Sequence, residues 1–301
     1  MRKLTLIAVA VIITLGVLLV AGTIYLPQFY VTNTAAFDGG RAMGDVNYQM
    51  SLGARVVGSE AHTKLREYVI AELEKAGWET EVQQAEMMGH PIYNLVGKRG
   101  GNSGAPWIIL GAHYDSRIVA DHDPDPAKQS QPVPGANDGA SGVAVLLELA
   151  RTLPEDLPQT VWLVFFDAED NGSLPGWDWI LGSTAFVEGL PGKPDATVIV
   201  DMIGDADLRI PYERNSNPEL VQEIWNAAAT QGYEEIFVPE PGLSILDDHT
   251  PFLRAGIPAV DIIDFTYPFY HTTTDTADKV SPASLKAVGD TLRAWLEENQ
   301  P

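Results

Sequence analysis

Acidic residues and histidines that could bind a metal ion or move protons occur in short, separate clusters along this chain. Carboxylates and imidazoles are ordinary zinc ligands, and a further carboxylate can act as a general base. The sequence contains no cysteine, so thiolate ligands are excluded. Two histidines and three aspartates therefore form a candidate zinc site with a glutamate left over as the base: His113, Asp138, Asp170, Asp201 and His271, with Glu169.

These candidates follow predicted β-strands. The apolar run of Val161–Phe166 predicts a strand buried on both faces, and it leads into Glu169 and Asp170. Strands predicted over 106–113, 196–201 and 257–263 end at or before His113, Asp201 and His271. Ligands of open α/β sheets lie at the carboxyl ends of parallel strands, so we expect these side chains to meet at one edge. Taken singly, His113 also fits a hydrogen-bonded core histidine, and Asp201 also fits a turn cap.

The remaining patterns predict the layers around that sheet. Apolar spacing and end signals predict helices after Ser59, over 140–153, 218–231 and 281–299, and from Pro251 to Gly256. Residues 79–88 and 92–98 are typical of an antiparallel strand pair. We therefore predict the α/β class, as a three-layer αβα sandwich with a mixed, mostly parallel sheet.

The amino-terminal segment is uncharged from Leu4 to Leu26, which is long enough to span a bilayer. We expect one transmembrane helix as an anchor in residues 1–30, a linker over 31–44 and a catalytic domain over 45–301. Arg2 and Lys3 favour a cytoplasmic amino end, so the domain is expected in the periplasm or outside the cell, with membrane contact through this helix only. A cleaved signal peptide ending near Val20-Ala21-Gly22 is the alternative. The net charge of -22 argues against nucleic acid as a partner.

Six motifs then carry a resemblance: HYDS, GANDGASG, FFDAED, DMIGD, DDHTPFLRAGIP and YHTTTDT. In this order they resemble the zinc aminopeptidases of metallopeptidase family 28 and the animal-type glutaminyl cyclases that share that fold. Both groups act on peptide N-termini, so the resemblance implies peptide or protein N-termini as substrates.

The aminopeptidase pattern implies two zinc ions, one held by His113 and Asp201, the other by Asp170 and His271, with Asp138 between them. Glu169 would then be the base acting on water. The cyclase pattern implies one zinc ion held by Asp138, Asp170 and His271. Glu169 would carry a proton from the substrate amine to departing ammonia, with Asp201 and Asp247 in a supporting hydrogen-bond network.

Asp247 in DDH and the loop containing Trp177 and Trp179 resemble the cyclases more, so cyclisation is the first expectation and aminopeptidase activity the second. Asp170 departs from both groups, which usually have Glu there, and Tyr270 departs from the Trp of the cyclases. The expected substrate-binding residues are Trp177, Trp179, Tyr270 and His249, although the tryptophans also fit core packing and His249 also fits a turn-fixing role. A non-catalytic binding domain is a remote third reading, because neither Glu169 nor any ligand is lost.

Overall fold

The computed structural model describes residues 36–101 and 104–298 of the 301-residue chain. In this part of the chain a six-stranded sheet has the order β1-β2-β4-β3-β5-β8. Strands β4, β3, β5 and β8 run parallel, and β2 and β1 add antiparallel to one side. The strands are β1 (Glu79–Met87), β2 (His90–Gly100), β3 (Trp107–His113), β4 (Thr160–Phe166), β5 (Ala196–Asp201) and β8 (Ala259–Ile263), with a small separate sheet of β6 (Ile210–Tyr212) and β7 (Phe237–Pro241).

Helices cover both faces of the main sheet, as the sequence predicts. Successive residues of a strand point to opposite faces. Leu110 accordingly packs in the larger apolar cluster, while Ile109 packs in a second cluster with Phe186 and Phe252. The larger cluster is covered by α1 (Gly39–Leu52), α2 (Glu60–Lys75), α3 (Ala140–Thr152), α5 (Pro218–Thr230) and α7 (Pro282–Glu298), and the other by α4 (Leu181–Glu188) and α6 (His249–Arg254).

The amino-terminal boundary needs a correction. The linker expected over 31–44 already contains the start of α1, which begins at Gly39. The Asp38 side chain caps this helix by accepting hydrogen bonds from the amides of Gly40 and Arg41, at 2.9 and 3.1 Å. Asp45 then pairs with Arg151 of α3 at 2.6 Å. The folded domain therefore starts before residue 45.

The expected membrane anchor over residues 1–30 lies outside the described residues. Within the described ranges, no helix combines the length and the apolar character that a membrane crossing requires. The anchor stays a prediction from the sequence.

Candidate active site

Two small groups of metal-ligating side chains meet at the carboxyl edge of the parallel strands, and Asp138 belongs to both. His113 Nε2 lies 3.1 Å from Asp201 Oδ1 and 3.2 Å from Asp138 Oδ1. His271 Nε2 lies 2.7 Å from Asp170 Oδ1 and 3.7 Å from Asp138 Oδ2. The structure thus brings together all five ligands that the sequence predicts.

The residues present fit metal ions. In each group, one ligand atom from each of the three residues lies within 4.8 Å of the others, and the donors are the nitrogen and carboxylate oxygens that zinc accepts. Asp138 Oδ2 and Asp170 Oδ2 are buried and accept no hydrogen bond from any described residue. Buried carboxylate oxygens are normally satisfied. These two carboxylates also converge with His271, so they fit a bound cation as their partner.

Asp115 connects the first histidine to the acidic turn after β4. Its carboxylate lies 3.5 Å from His113 Nδ1, the nitrogen that faces away from the ligand group. It also accepts hydrogen bonds from the backbone amides of Glu169 and Asp170, at 3.0 and 3.3 Å. One buried side chain therefore orients a ligand histidine and the turn that carries the base, as the HxD spacing indicates.

The loop that carries Asp138 is held by two buried residues that the sequence reading did not single out. Asp275 accepts the amides of Asn137 and Asp138, at 2.9 and 3.1 Å, and Arg55 donates to the carbonyl oxygen of Gly135 at 2.6 Å. Asp275 lies in the YHTTTDT motif, so its place near His271 was a usable signal. Arg55 lies far away in sequence, and no local pattern marks it.

Left-handed backbone conformations occur at non-glycine residues beside the ligands. Ala168, Met202 and His271 have φ of 50°, 47° and 55°. Such a conformation costs about 1 to 3 kcal/mol and persists where the surrounding structure fixes it. Ala168 precedes Glu169, Met202 follows Asp201, and His271 is itself a candidate ligand. The left-handed conformation therefore turns the chain where these side chains enter the site.

Burial among other acids makes Glu169 and Asp201 hard to ionise in the absence of a cation. Burial raises the pKa of Glu169 well above its ordinary value, and the neighbouring Asp170 and Asp247 add to the rise while His113 opposes it. Burial likewise raises the pKa of Asp201 to about 7, against the opposing effect of His113. The raised pKa of Glu169 favours a proton on this carboxyl group, and a general acid-base group must both hold and release a proton.

A cavity of about 260 Å³ opens onto these groups. Trp179 lies along one wall, stacked near the His271 ring at 5.9 Å between ring centres, with the Arg117 guanidinium 4.9 Å from its ring. Tyr270 stacks on His271 at 3.6 Å. The lining thus combines acids with aromatic rings: Glu169, Asp170, Asp201 and Asp247 with Trp179, Phe265 and Tyr270.

Two of the expected substrate-binding residues do not belong to the described lining of this cavity. Trp177 is half-buried and stacks on His90, with 3.6 Å between ring centres. His249 is fully buried, with Nε2 3.3 Å from Glu213 and Nδ1 3.6 Å from Asp261. Each residue stands two positions from a cavity residue in sequence, Trp179 and Asp247, and its side chain packs against other neighbours. Their roles in substrate binding stay predictions.

With this geometry in place, comparison with known proteins gives a consistent result. The model of peptidase family M28 matches residues 94–296. The chain belongs to this family.

Relatives within it include both expected classes. The glutaminyl-peptide cyclotransferase of Drosophila melanogaster is 26% identical over 81% of this chain and 77% of its own length. A glutaminyl cyclase structure from Porphyromonas gingivalis is 31% identical, with a TM-score of 0.81 over 88% of this chain and 99% of that one. A Zn-dependent exopeptidase structure from Parabacteroides distasonis is 30% identical, with a TM-score of 0.81 over 87% and 99%. These likenesses support an enzyme with a zinc site.

Proposed function

We propose that this protein is a zinc-dependent glutaminyl-peptide cyclotransferase, which converts an N-terminal glutamine to pyroglutamate and releases ammonia. The observation that carries the proposal is Asp247. It lines the cavity beside Glu169 and Asp201, is 4% exposed, and keeps Oδ2 without a hydrogen-bond partner among the described residues. This third carboxylate suits a reaction that passes a proton between two nitrogens inside one substrate.

Glu169 does the proton transfer. In the reaction the α-amine nitrogen bonds to the side-chain amide carbon and the bond from that carbon to the amide nitrogen breaks. Glu169 accepts a proton from the attacking amine and returns it to the leaving nitrogen, which departs as ammonia. Its raised pKa suits both halves of this transfer. Asp201 and Asp247 line the same cavity and would complete the hydrogen-bond network around the reacting nitrogens.

The metal and the aromatic wall complete the arrangement. Zinc held by Asp138, Asp170 and His271 would supply Lewis-acid polarisation of the amide oxygen. Trp179 and Tyr270 flank His271 and offer flat apolar surfaces to the methylene groups of a glutamine side chain. We assign one zinc ion to this activity.

Aminopeptidase activity is the second candidate, and one observation favours it. The group of His113, Asp138 and Asp201 is as complete as the other, and the two groups share Asp138. Two metals at such a shared carboxylate suit hydrolysis, in which water attacks the first peptide bond with Glu169 as the base.

Mass spectrometry of peptides incubated with the zinc-loaded protein distinguishes the two activities. One peptide begins with Gln and the other with Leu, in otherwise identical sequences. Cyclisation predicts that the Gln peptide loses one ammonia and the Leu peptide stays intact. Release of whole residues from either peptide would replace the cyclase assignment by the aminopeptidase.

We also propose that residues 1–30 anchor the protein in the membrane as a single span, with the catalytic domain on the outer side. The uncharged run from Leu4 to Leu26 behind Arg2 and Lys3 supports this placement. Protease added to intact cells should degrade the domain while the membrane fraction retains the amino-terminal segment. A full-length domain protected in intact cells would contradict it.

A further inference from the structure

A second cavity, of about 340 Å³, adjoins the first one. Four residues line both: Leu243, Ile245, Ile263 and Phe265. The second cavity then continues away from the metal ligands towards Tyr212 and Arg214. The two cavities therefore adjoin at these four residues, and together they are called the trough.

Hydrogen bonds of two backbone amides hold the segment around Leu243 and Ile245, which line both cavities. The amide of Arg214 donates to the carbonyl oxygen of Leu243 at 2.9 Å, and the amide of Ile245 donates to Glu213 Oε1 at 2.9 Å. The strands on either side, β6 and β7, pair in parallel. The trough is therefore preformed by the fold.

Apolar side chains are exposed along this trough. Leu243 is 59% exposed, Leu246 47% and Phe265 39%, and all three line the first cavity. An exposed apolar cluster beside a reactive site is typical of a surface that a ligand covers. Here the cluster lines the same cavity as Glu169.

Arg214 supplies the charge at the far end. Its side chain is exposed and forms no ion pair with any described residue, whereas the neighbouring Arg209 is neutralised by Glu240. The whole chain carries 41 acidic and only 19 basic residues. An unpaired arginine in a trough of such an acidic protein favours a carboxylate there.

We propose that the second cavity binds the substrate peptide just downstream of its N-terminal residue, with an apolar side chain over Leu243 and Phe265 followed by a carboxylate at Arg214. This proposal rests on the proposed action on peptide N-termini and adds a sequence preference to it. The carboxylate is that of an acidic residue or the C-terminus of a short peptide.

The test compares matched peptides at low ionic strength on the zinc-loaded full-length protein. Gln-Leu-Glu-Glu-amide, Gln-Leu-Gln-Gln-amide and Gln-Leu-Lys-Lys-amide vary the charge alone, and Gln-Leu-Gln as free acid and as amide tests the terminal carboxylate. We expect KM to be lower for the Glu peptide than for the Lys peptide by about three- to tenfold. This is the size expected when an exposed ion pair with Arg214 is replaced by repulsion between two positive charges. The values of kcat should stay equal, because the charge lies far from the reacting atoms.

Variants assign the effect to Arg214. Arg214→Gln should remove the preference and Arg214→Glu should reverse it. Arg254→Gln is the matched control, since Arg254 is an exposed arginine on α6 outside both cavities. Leu243→Ser should raise KM more for a peptide with Leu at the second position than for one with Gly there.

The outcomes separate this proposal from the proposed function. Turnover with equal KM for the Glu and Lys peptides, or a preference that survives Arg214→Gln, would overturn the subsite and leave the activity standing. Without turnover of any peptide the proposed function fails, and calorimetric Kd values for the same peptides then decide the subsite alone. A Kd order that follows the charge at position 214 supports it, and a Kd that ignores this charge overturns it.

Discussion

Within the described residues, acids surround His113 in one buried cluster and His249 in another, and the two clusters differ in their access to the cavity beside Glu169. Around His113, carboxylate oxygens point towards a shared centre and line the cavity. Around His249, the imidazole lies 3.3 Å from Glu213 and 3.6 Å from Asp261, and neither His249 nor Asp261 lines the cavity beside Glu169; we call this group the closed cluster. Asp247 lines the cavity wall, and the next residue, Asp248, is fully buried behind it.

The difference teaches what makes such a cluster a reactive site. Both clusters contain the residue types that zinc binds, and both raise carboxyl pKa values, because burial raises those of Asp248 and Asp261 well above the ordinary range as well. Only the first cluster combines three convergent ligand atoms with access for a substrate. The two clusters have similar residue types, so what distinguishes the candidate reactive site is that its ligand atoms converge and that a substrate can reach them.

The largest expected effect comes from removing the base. Glu169→Gln should lower turnover by about a thousandfold, the usual contribution of a general acid-base group, while zinc content stays unchanged. Asp261→Asn, a matched change in the closed cluster, should lower turnover less than tenfold. Initial rates and metal analysis on the same preparations check both, and retained turnover in Glu169→Gln would remove this residue from the mechanism.

Metal content should separate the clusters next. Asp138→Asn should lose zinc and activity together under either zinc stoichiometry, because Asp138 belongs to both ligand groups. Asp248→Asn changes an equally buried aspartate and should keep its zinc. Equal zinc content in the two variants would contradict the ligand assignment.

The closed cluster should instead contribute stability. His249→Ala removes a fully buried side chain and leaves a void beside Glu213 and Asp261, which should cost about 3 kcal/mol in the free energy of unfolding. Urea unfolding of the zinc-loaded variant measures this loss. Loss of zinc with unchanged stability would show that His249 serves the metal.

The pH dependence of stability gives a smaller and more specific contrast. Burial raises the pKa of Asp170 to about 6 and that of Asp201 to about 7 in the metal-free protein, so between pH 4 and 7 the native state holds protons that the unfolded state has released. Stability of the metal-free protein should therefore fall as pH rises through this range. A bound zinc ion would offset the cost of ionising the buried Asp170 and Asp201. The increase in Tm on adding zinc should therefore grow from pH 5 to 7. A constant gain would speak against ionised Asp170 and Asp201 at the metal.

The two tryptophans give the smallest contrast. Trp179→Ala should raise KM for peptides about tenfold, because Trp179 lines the cavity, whereas Trp177→Ala should leave KM within about twofold, since its ring packs on His90. Steady-state kinetics of both variants measures this. A larger increase in KM for Trp177→Ala than for Trp179→Ala would show that Trp177 contacts the substrate.

Much of the fold and of the ligand set could be predicted from sequence because these signals are local. Apolar runs predicted the central strands, and the polar residues that follow these runs predicted the candidate metal ligands. Helix α1 was missed since Gly39, Gly40 and Gly44 lower its helix propensity, and contacts distant in sequence, such as that between Asp45 and Arg151, stabilise it. The sequence could not show that His249 packs beside Glu213 and Trp177 on His90, because the side that a residue faces depends on tertiary packing. Arg55 reaches the Asp138 loop only in the folded chain.

The most direct test of the account is a crystal structure of the zinc-loaded protein with anomalous scattering measured at the zinc edge. The account predicts a peak beside Asp138, between Asp170 and His271, with any second peak between His113 and Asp201. A peak beside His249, or none within reach of Asp138, would contradict it.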